Sequence, residues 1–337
     1  MLNNLTTLSE IQNSIAALKS SRKILAVGDV GIDKYIYGDV SRISPEAPVP
    51  VLRVTKKEKK LGMSANICNN LNALGIQNSL ISIVGNDQNG ELLKSLLKSD
   101  STETKFLVTD DKSTTISKDR VLTSVQQICR IDHEDEAFNF QESSFNCLYE
   151  NFGSALSLHD GVILEDYSKG VLNAESIQRL IHLCREKGVF VAVDPGKGKP
   201  AYLYQGASLL KPNFLEAKEL VHSMGYEQCP TEKMGEILVD KLSLDRVVIT
   251  LGAQGMAMWD KETGYNKIPT VAQEVFDVSG AGDTVISVIT AGIVNGLSLF
   301  DACWLANLAA GVVVSKKGTA VVTTDEILTL FNKLNIH

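Results

Sequence analysis

The chain has 337 residues, is 44% hydrophobic and 22% charged, and carries a formal net charge of −7. This is the length of one large α/β domain or two small ones, with a globular protein's composition. The acidic balance excludes the broad cationic footprint of a nucleic-acid-binding surface, so a bound polyanion must be held by helix N-termini and a few placed cations. The six cysteines are scattered with no C-x-x-C pair. That argues against a disulfide framework or a zinc site and fits reduced thiols in the cytoplasm. The N-terminus lacks a basic leader followed by an apolar core, and no apolar run is long enough to span a membrane, so neither export nor a membrane partner is expected.

In chain order, residues 1–22 predict a helical extension. Its helix covers 7–20, with Leu8, Ile11, Ile15 and Leu18 on one side and TLSE, 7–10, as a capping box. The apolar run 23–29 predicts a buried parallel strand that opens the main domain, 23–337. Residues 34–60, rich in proline and charge, predict a peripheral segment with one short strand at 49–54. A helix over 64–74 closed by Gly75, a strand over 79–84 and a helix over 89–97 follow. Residues 105–133 predict three β segments, two of them at 114–122 and 126–131, which with 49–54 would form a small separate sheet. From 145 onward, strands at 161–164, 189–193, 208–210 and 246–250 alternate with helices, and Gly188 is a helix stop. That alternation predicts a doubly wound parallel sheet. A hairpin-like pair, 255–259 and 265–269, precedes a buried helix over 284–295 and another over 301–316.

In open α/β sheets, ligands bind at the carboxyl ends of the strands. Asp29, Asp33, Asp166, Asp194, Asn213, Glu216, Gly252 and Gly255 all follow predicted strands and outline one rim. The stretch FDVSGAGDTV, 276–285, enters the buried helix. Its small residues let backbone N–H groups approach a ligand, and the helix start adds orphan donors and partial positive charge. Such an anion hole suits a phosphoryl group, with Asp283 placed to accept a proton from an attacking hydroxyl. An ordinary helix-terminal aspartate after a glycine turn accounts for the same residues, and the motif alone leaves both readings open. Asn213 and Glu216 have the spacing of a capping box; they also suit a polar pair near a nucleotide and its hydrated Mg²⁺. TLGAQG, 250–255, reads as a simple turn or as a loop that a nucleotide phosphate approaches. There is no Walker A motif and no strand–G-x-G-x-x-G–helix unit, which argues against P-loop and Rossmann cofactor binding.

As an ordered set, from about residue 23 to the C-terminus, these motifs resemble the ribokinase-like (phosphofructokinase-B) sugar kinases. FDVSGAGD, 276–283, resembles that family's C-terminal signature. GMSAN, 62–66, resembles its N-terminal glycine-rich signature, with Met63 where a second glycine is usual. KPNFLE, 211–216, and TLGAQG fall at the matching intermediate places. A narrower resemblance is to bacterial heptose 7-phosphate kinases, carried by SRISPEAPVP, 41–50, RVL, 120–122, QQICRID, 126–132, and DYSKG, 166–170.

The resemblance implies a three-layer αβα sandwich with a mostly parallel central sheet and a small β-sheet lid, formed by about 34–60 and 104–133. It implies ATP-dependent phosphorylation of the anomeric hydroxyl of D-glycero-β-D-manno-heptose 7-phosphate, in ADP-heptose and lipopolysaccharide-core synthesis. Asp283 would be the base, and Gly280, Ala281 and Gly282 the anion hole. Asp33, Gly62, Asn66 and Asp166 would serve the sugar. Asn213, Glu216, Thr250, Gly252, Gly255 and Asn307 would lie beside the nucleotide and Mg²⁺, Glu216 through water. ATP and Mg²⁺ are the implied cofactors, with a monovalent cation a further candidate. A homodimer through the lid is implied. With no H-x-G-H motif in the chain, a separate nucleotidylyltransferase is the expected pathway partner.

A sugar phosphate carries about two negative charges near neutral pH, so its site needs cations. Arg42, Lys118, Arg120, Arg130 and Lys169 are the candidates. Each also reads as a solvated surface charge, but Arg120 and Arg130 lie in strands that should face the sugar. Asp277 is expected to shape its loop or help a cation site rather than act on substrate. Two rival readings stay open: a kinase of the same family for another sugar or sugar phosphate, and a non-catalytic ligand-binding protein on this fold.

Overall fold

The computed structural model describes residues 8–18, 21–135 and 140–335. Helix α1 (Leu8–Leu18) precedes strand β1 (Lys23–Gly28) and two long strands, β2 (Val30–Ile43) and β3 (Pro50–Met63). Next come α2 (Ser64–Ala73), β4 (Gln77–Ile81), β5 (Ile83–Gly85), α3 (Gln88–Ser99), β6 (Val108–Asp110), β7 (Ile116–Leu122) and β8 (Gln127–His133). A regular alternation follows: α4 (Glu142–Leu156), β9 (Gly161–Glu165), α5 (Ala174–Lys187), β10 (Phe190–Asp194), β11 (Leu209–Leu210), α6 (Phe214–Ser223), α7 (Thr231–Leu242) and β12 (Arg246–Thr250). The hairpin of β13 (Met256–Asp260) and β14 (Gly264–Ile268) leads to α8 (Ala281–Val294), α9 (Leu299–Val314) and α10 (Thr324–Asn335).

The main sheet has eight strands in the order β14-β13-β12-β11-β10-β9-β1-β4. All neighbours are parallel except at the hairpin strands β13 and β14. Helices cover both faces, so the central strands need apolar residues on both sides: every residue of β9 is buried, and all of β1 except Lys23. Strand alternation divides the core. Ile24, Ala26, Ile163 and Val248 join the layer containing α1, α2, α8 and α9. Leu25, Val27, Val162, Leu164 and Val247 join the layer containing α4, α5, α6 and α7. The result is the doubly wound sheet that the alternation predicts and the three-layer αβα sandwich that the resemblance implies.

Ile11, Ile15 and Leu18 bury one face of α1 against α8, α9 and α10; the expected capping residue Thr7 and the side chain of Leu8 lie outside the described residues. Helix α5 stops at Gly188, whose φ of 66° is the left-handed conformation that glycine supplies without strain. All six cysteines are free. Among the described residues, no helix is long and apolar enough to cross a membrane.

The sequence reading goes astray over 34–60. Instead of one short strand, this region is made of the outer parts of two paired strands of 14 residues each, β2 and β3, joined by residues 44–49. The run TKKEKK, 55–60, past the expected short strand, is itself part of a strand at the edge of a four-stranded sheet ordered β3-β2-β7-β8. Lysine-rich edges are how sheets discourage pairing with other chains, so charge here marks an edge rather than a loop. The strand expected over 79–84 breaks at Ser82, and β6 pairs with β5 in a sheet of two strands instead of joining the small sheet. The inner ends of β2 and β3 meet at the carboxyl end of β1, where Ser64 N–H donates to Asp29 O at 3.0 Å. The four-stranded sheet therefore stands over the ligand-binding end of the main sheet.

Candidate active site

Helix α8 begins at Gly280, whose φ of 80° permits the turn from the FDVS loop into the helix. A side chain there would press on Asn66 and Thr319, at 3.0 and 3.1 Å. Ala281 N–H bonds Val278 O, and Thr284 N–H bonds Gly280 O. Among the described residues, the N–H groups of Gly282 and Asp283 have no partner, so two donors and the helix dipole point out of this terminus. A Cβ on Gly282 would lie 3.6 Å from Lys211 Nζ, so a buried ammonium stands beside the same opening.

Asp283 is buried in the first turn of α8. Its Oδ2 accepts from Asn66 Nδ2 at 2.6 Å, and its Oδ1 accepts from the Tyr167 hydroxyl at 3.1 Å. Burial pushes its pKa up to about 6; the Asn66 amide pulls it down, and nearby Asp194 pushes it further up. Asn66 comes from the first turn of α2. One turn on, Asn70 Oδ1 accepts from Thr284 Oγ1 at 2.7 Å, which fixes the two helices together.

Lys211 follows β11 and pairs with Asp194, at the end of β10, at 2.6 Å. Burial works against the Lys211 charge, but Asp194 and Glu165 outweigh it and its pKa is raised. Glu165, at the end of β9, is buried beside Asp194 and Asp283, and desolvation holds its pKa well above the usual carboxylate range. Its Oε2 is buried and has no partner among the described residues. Sequence reading passed over Glu165, Tyr167 and Lys211. Their signal was position: each lies at or just after the carboxyl end of a parallel strand.

Thr250, Gly252, Gly255, Asn307, Ala281 and Gly282 line one cavity of about 420 Å³, together with apolar residues of α9 and the loop before α8. Asn307 is fixed by donating to Pro269 O at 2.7 Å. Asn213 and Glu216 are not among its lining residues. They form the capping box of α6 at its edge, Asn213 lying in register with Thr250. Asp277 accepts from the N–H groups of Ser279 and Gly318, at 2.9 and 3.0 Å, and so ties its loop to the segment after α9.

On the opposite side, Asp33 receives the Arg120 guanidinium. Gly62 leaves Asp33 its room, since a Cβ there would come within 3.0 Å of Asp33 Oδ2. Arg130 is held by Asp132, and Lys169 by Glu134 at 2.7 Å. Asp166 is turned into the protein: Lys199 at 2.7 Å, the Ser168 N–H and the Tyr204 hydroxyl occupy its carboxylate. Asp29 likewise accepts from the Lys169 and Val171 N–H groups and organises the loop after β9. Asn66 thus meets Asp283 directly and Asp33 packs at Gly62, whereas Asp166 is turned away to Lys199.

A buried carboxylate, two free helix N–H groups and a buried lysine share one rim beside the cavity, an arrangement able to hold the charge of a phosphoryl group in transfer. The chain matches the pfkB family of carbohydrate kinases over residues 21–326 and belongs to it. It is 40% identical over 305 residues to the bifunctional protein HldE of Pasteurella multocida, a match covering 90% of this chain and 62% of the relative. It therefore spans less than two thirds of that relative's length. Its fold is that of phosphofructokinase-2 from Escherichia coli in complex with potassium (TM-score 0.76, 20% identity, 94% of this chain and 99% of that one). It is also that of Arabidopsis thaliana ribokinase complexed with ribose and ATP (TM-score 0.70, 18% identity, 92% and 99%).

Proposed function

We propose that this kinase transfers the γ-phosphoryl group of ATP to the anomeric hydroxyl of D-glycero-β-D-manno-heptose 7-phosphate, giving the 1,7-bisphosphate. The observation that carries phosphoryl transfer is Asp283, buried at a helix terminus whose next free donors are its own N–H and that of Gly282. The choice of sugar rests on the segments shared with heptose 7-phosphate kinases and on the likeness to HldE. Asp283 accepts the proton of the attacking hydroxyl. The Gly282 and Asp283 N–H groups and Lys211 hold the charge that develops on the transferred group. Glu165, whose pKa burial and then the nearby Asp194 and Asp283 hold well above the usual carboxylate range, stands beside the base. Asp33 and Asn66 orient the acceptor.

Among the described residues, no group of three or more acidic, histidine or cysteine side chains could hold a metal by itself. Mg²⁺ keeps waters and phosphate oxygens and takes few protein ligands. Glu216 and Asp194 are the carboxylates that would face its water shell, and the bound ion would neutralise phosphate charge. Asp277 shapes its loop through the Ser279 and Gly318 N–H groups and would help a monovalent cation if one binds beside it. The four-stranded sheet would serve as the lid. Its outer end exposes Val40, Ile43, Val49 and Val54, an apolar surface that a second copy of the chain would cover to form a homodimer. The setting would be cytoplasmic, with a nucleotidylyltransferase consuming the product.

The test is product identification with β-heptose 7-phosphate and Mg-ATP by phosphorus NMR. A new anomeric phosphate with stoichiometric ADP is expected. No turnover there, with robust turnover of another sugar phosphate, would remove the heptose assignment and leave the kinase chemistry standing.

A further inference from the structure

The register of the four-stranded sheet fixes which side chains share its cleft-facing side. Asp33 of β2 lies opposite Lys60 of β3 and beside Lys118 of β7; Tyr35 lies beside Arg120. On β8, Asp132 pairs with Lys118 and Arg130 pairs with Arg120. Paired residues point to the same side. This side faces the site: Asp33 packs at Gly62, and the Tyr35 hydroxyl meets Thr319, the neighbour of Gly280, at 3.3 Å.

Two arginines directly across from each other repel unless something answers their charge. Asp33 takes Arg120, and Asp132 grips Arg130 with two bonds, at 2.8 and 2.9 Å. Lys118 is then left with no ion pair within salt-bridge distance among the described residues. On β2, β7 and β8 this face carries Lys118, Arg120 and Arg130 against Asp33 and Asp132, a cationic excess in a chain of net charge −7.

We propose that Lys118 and Arg130 form a clamp for the phosphate that the sugar acceptor already carries, while Arg120 stays on Asp33 and orients it. The clamp rests on the sugar-phosphate reading above. Asp132 takes the Nε–Nη2 edge of Arg130 and so fixes the planar guanidinium, whose remaining N–H groups on Nη1 and Nη2 are the ones that would meet phosphate oxygens beside the Lys118 ammonium. Neighbouring strands stand about 4.8 Å apart, so β8 lies roughly 10 Å from Asp33, which leaves room for a sugar between its reacting hydroxyl and a phosphate at its far end.

The experiment is steady-state kinetics of Arg130→Ala and Lys118→Ala with β-heptose 7-phosphate and with unphosphorylated β-heptose. In each variant KM for the phosphorylated acceptor should rise about tenfold or more, the loss of one charge-assisted contact, with kcat changed less. The preference for the phosphorylated over the unphosphorylated sugar should shrink by a similar factor, and Arg130→Lys should recover part of it. Arg130 is half-exposed on an edge strand, and melting curves will show that the variants fold. An unchanged KM in both variants, or equal losses on both acceptors, overturns the clamp. If wild type ignores heptoses but uses another sugar phosphate, the heptose reading fails and the same comparison on that sugar phosphate and its parent sugar decides the clamp. If wild type prefers unphosphorylated sugars throughout, the clamp is wrong although the role of Asp283 survives.

Discussion

The Asn66 amide donates to Asp283 Oδ2 at 2.6 Å, joining the start of α2 to the start of α8. Burial drives the Asp283 pKa up to about 6, and this hydrogen bond is the largest influence pulling it down. In the proposed role as base Asp283 works deprotonated, so kcat/KM should rise with pH through about 6 and level off above it. Asn66→Ala removes a donor to the charged form, and the acid limb should move to higher pH. Turnover at pH 7 should fall by about 10- to 100-fold, as expected for a misplaced, partly protonated base. A pH–rate profile checks this: an acid limb that stays in place would show that Asn66 does not tune the carboxylate.

Asp283→Asn should lower kcat by about a thousandfold or more, because general-base help contributes roughly 10²–10⁴. ATP binding, read by calorimetry, should persist. Stability should move the other way. The folded-state pKa is raised above the ordinary aspartate value of 3.8, so the stability linked to this group is present below that value and is lost as pH rises through about 6. Above it, the buried charge is a burden. The asparagine variant should therefore melt higher than wild type at pH 7.5, by on the order of 1–3 kcal/mol, and lose that advantage near pH 4. A variant less stable than wild type at pH 7.5 would contradict the burial argument.

Two glycines in the cavity wall should respond differently to alanine. At Gly255, φ is 88° and a Cβ would meet Ile268 O at 2.1 Å, in the backbone of the facing strand. Gly255→Ala must push the β13–β14 hairpin aside and should cost about 2–4 kcal/mol. At Gly252, φ is 57° and a Cβ would meet nothing within 4 Å. Gly252→Ala should cost only the left-handed backbone penalty, about 1 kcal/mol, while its methyl narrows the nucleotide cavity. Thermal melts and KM for ATP separate the two: a large stability loss for the first, a several-fold KM increase for the second. Equal melting shifts would refute the contrast.

The strands that form the main sheet were legible because burial on both faces leaves continuous apolar runs, as in GVIL of β9. The residues on Asp283 were legible only in part. Asn66 and the Gly-Ala-Gly turn announce themselves by motif, whereas Glu165 and Tyr167 sit in the stretch LEDYSKG, where Asp166 draws attention first. Topology decides between these neighbours: strand alternation and the turn after β9 send Asp166 inward to Lys199 and leave Glu165 beside Asp194 and Asp283. The charged segment 34–60, where only 49–54 was expected as strand, misled for a similar reason. Composition cannot distinguish a solvated loop from an edge strand, because both are charged for contact with water.

Met63 stands where the family's glycine-rich signature has a second glycine, and the backbone explains the preference. At φ 58°, ψ −139°, it is a non-glycine residue in a conformation that side chains rarely adopt, at the junction of β3 and α2. Such a residue costs about 1–3 kcal/mol of strain. Its side chain is nonetheless buried, with the sulfur packed close to Gly31 at the root of β2. Removing the side chain loses that packing, so Met63→Ala should destabilise by about 2–5 kcal/mol. Met63→Gly loses the same packing but also releases the strain. At an ordinary site glycine is less stable than alanine by roughly 0.5–1 kcal/mol. Here the order should reverse, with the glycine variant the more stable of the two by about 1 kcal/mol or more. Urea unfolding of both variants at one pH decides it, and alanine proving equal to or better than glycine would mean that the backbone at this junction carries no strain.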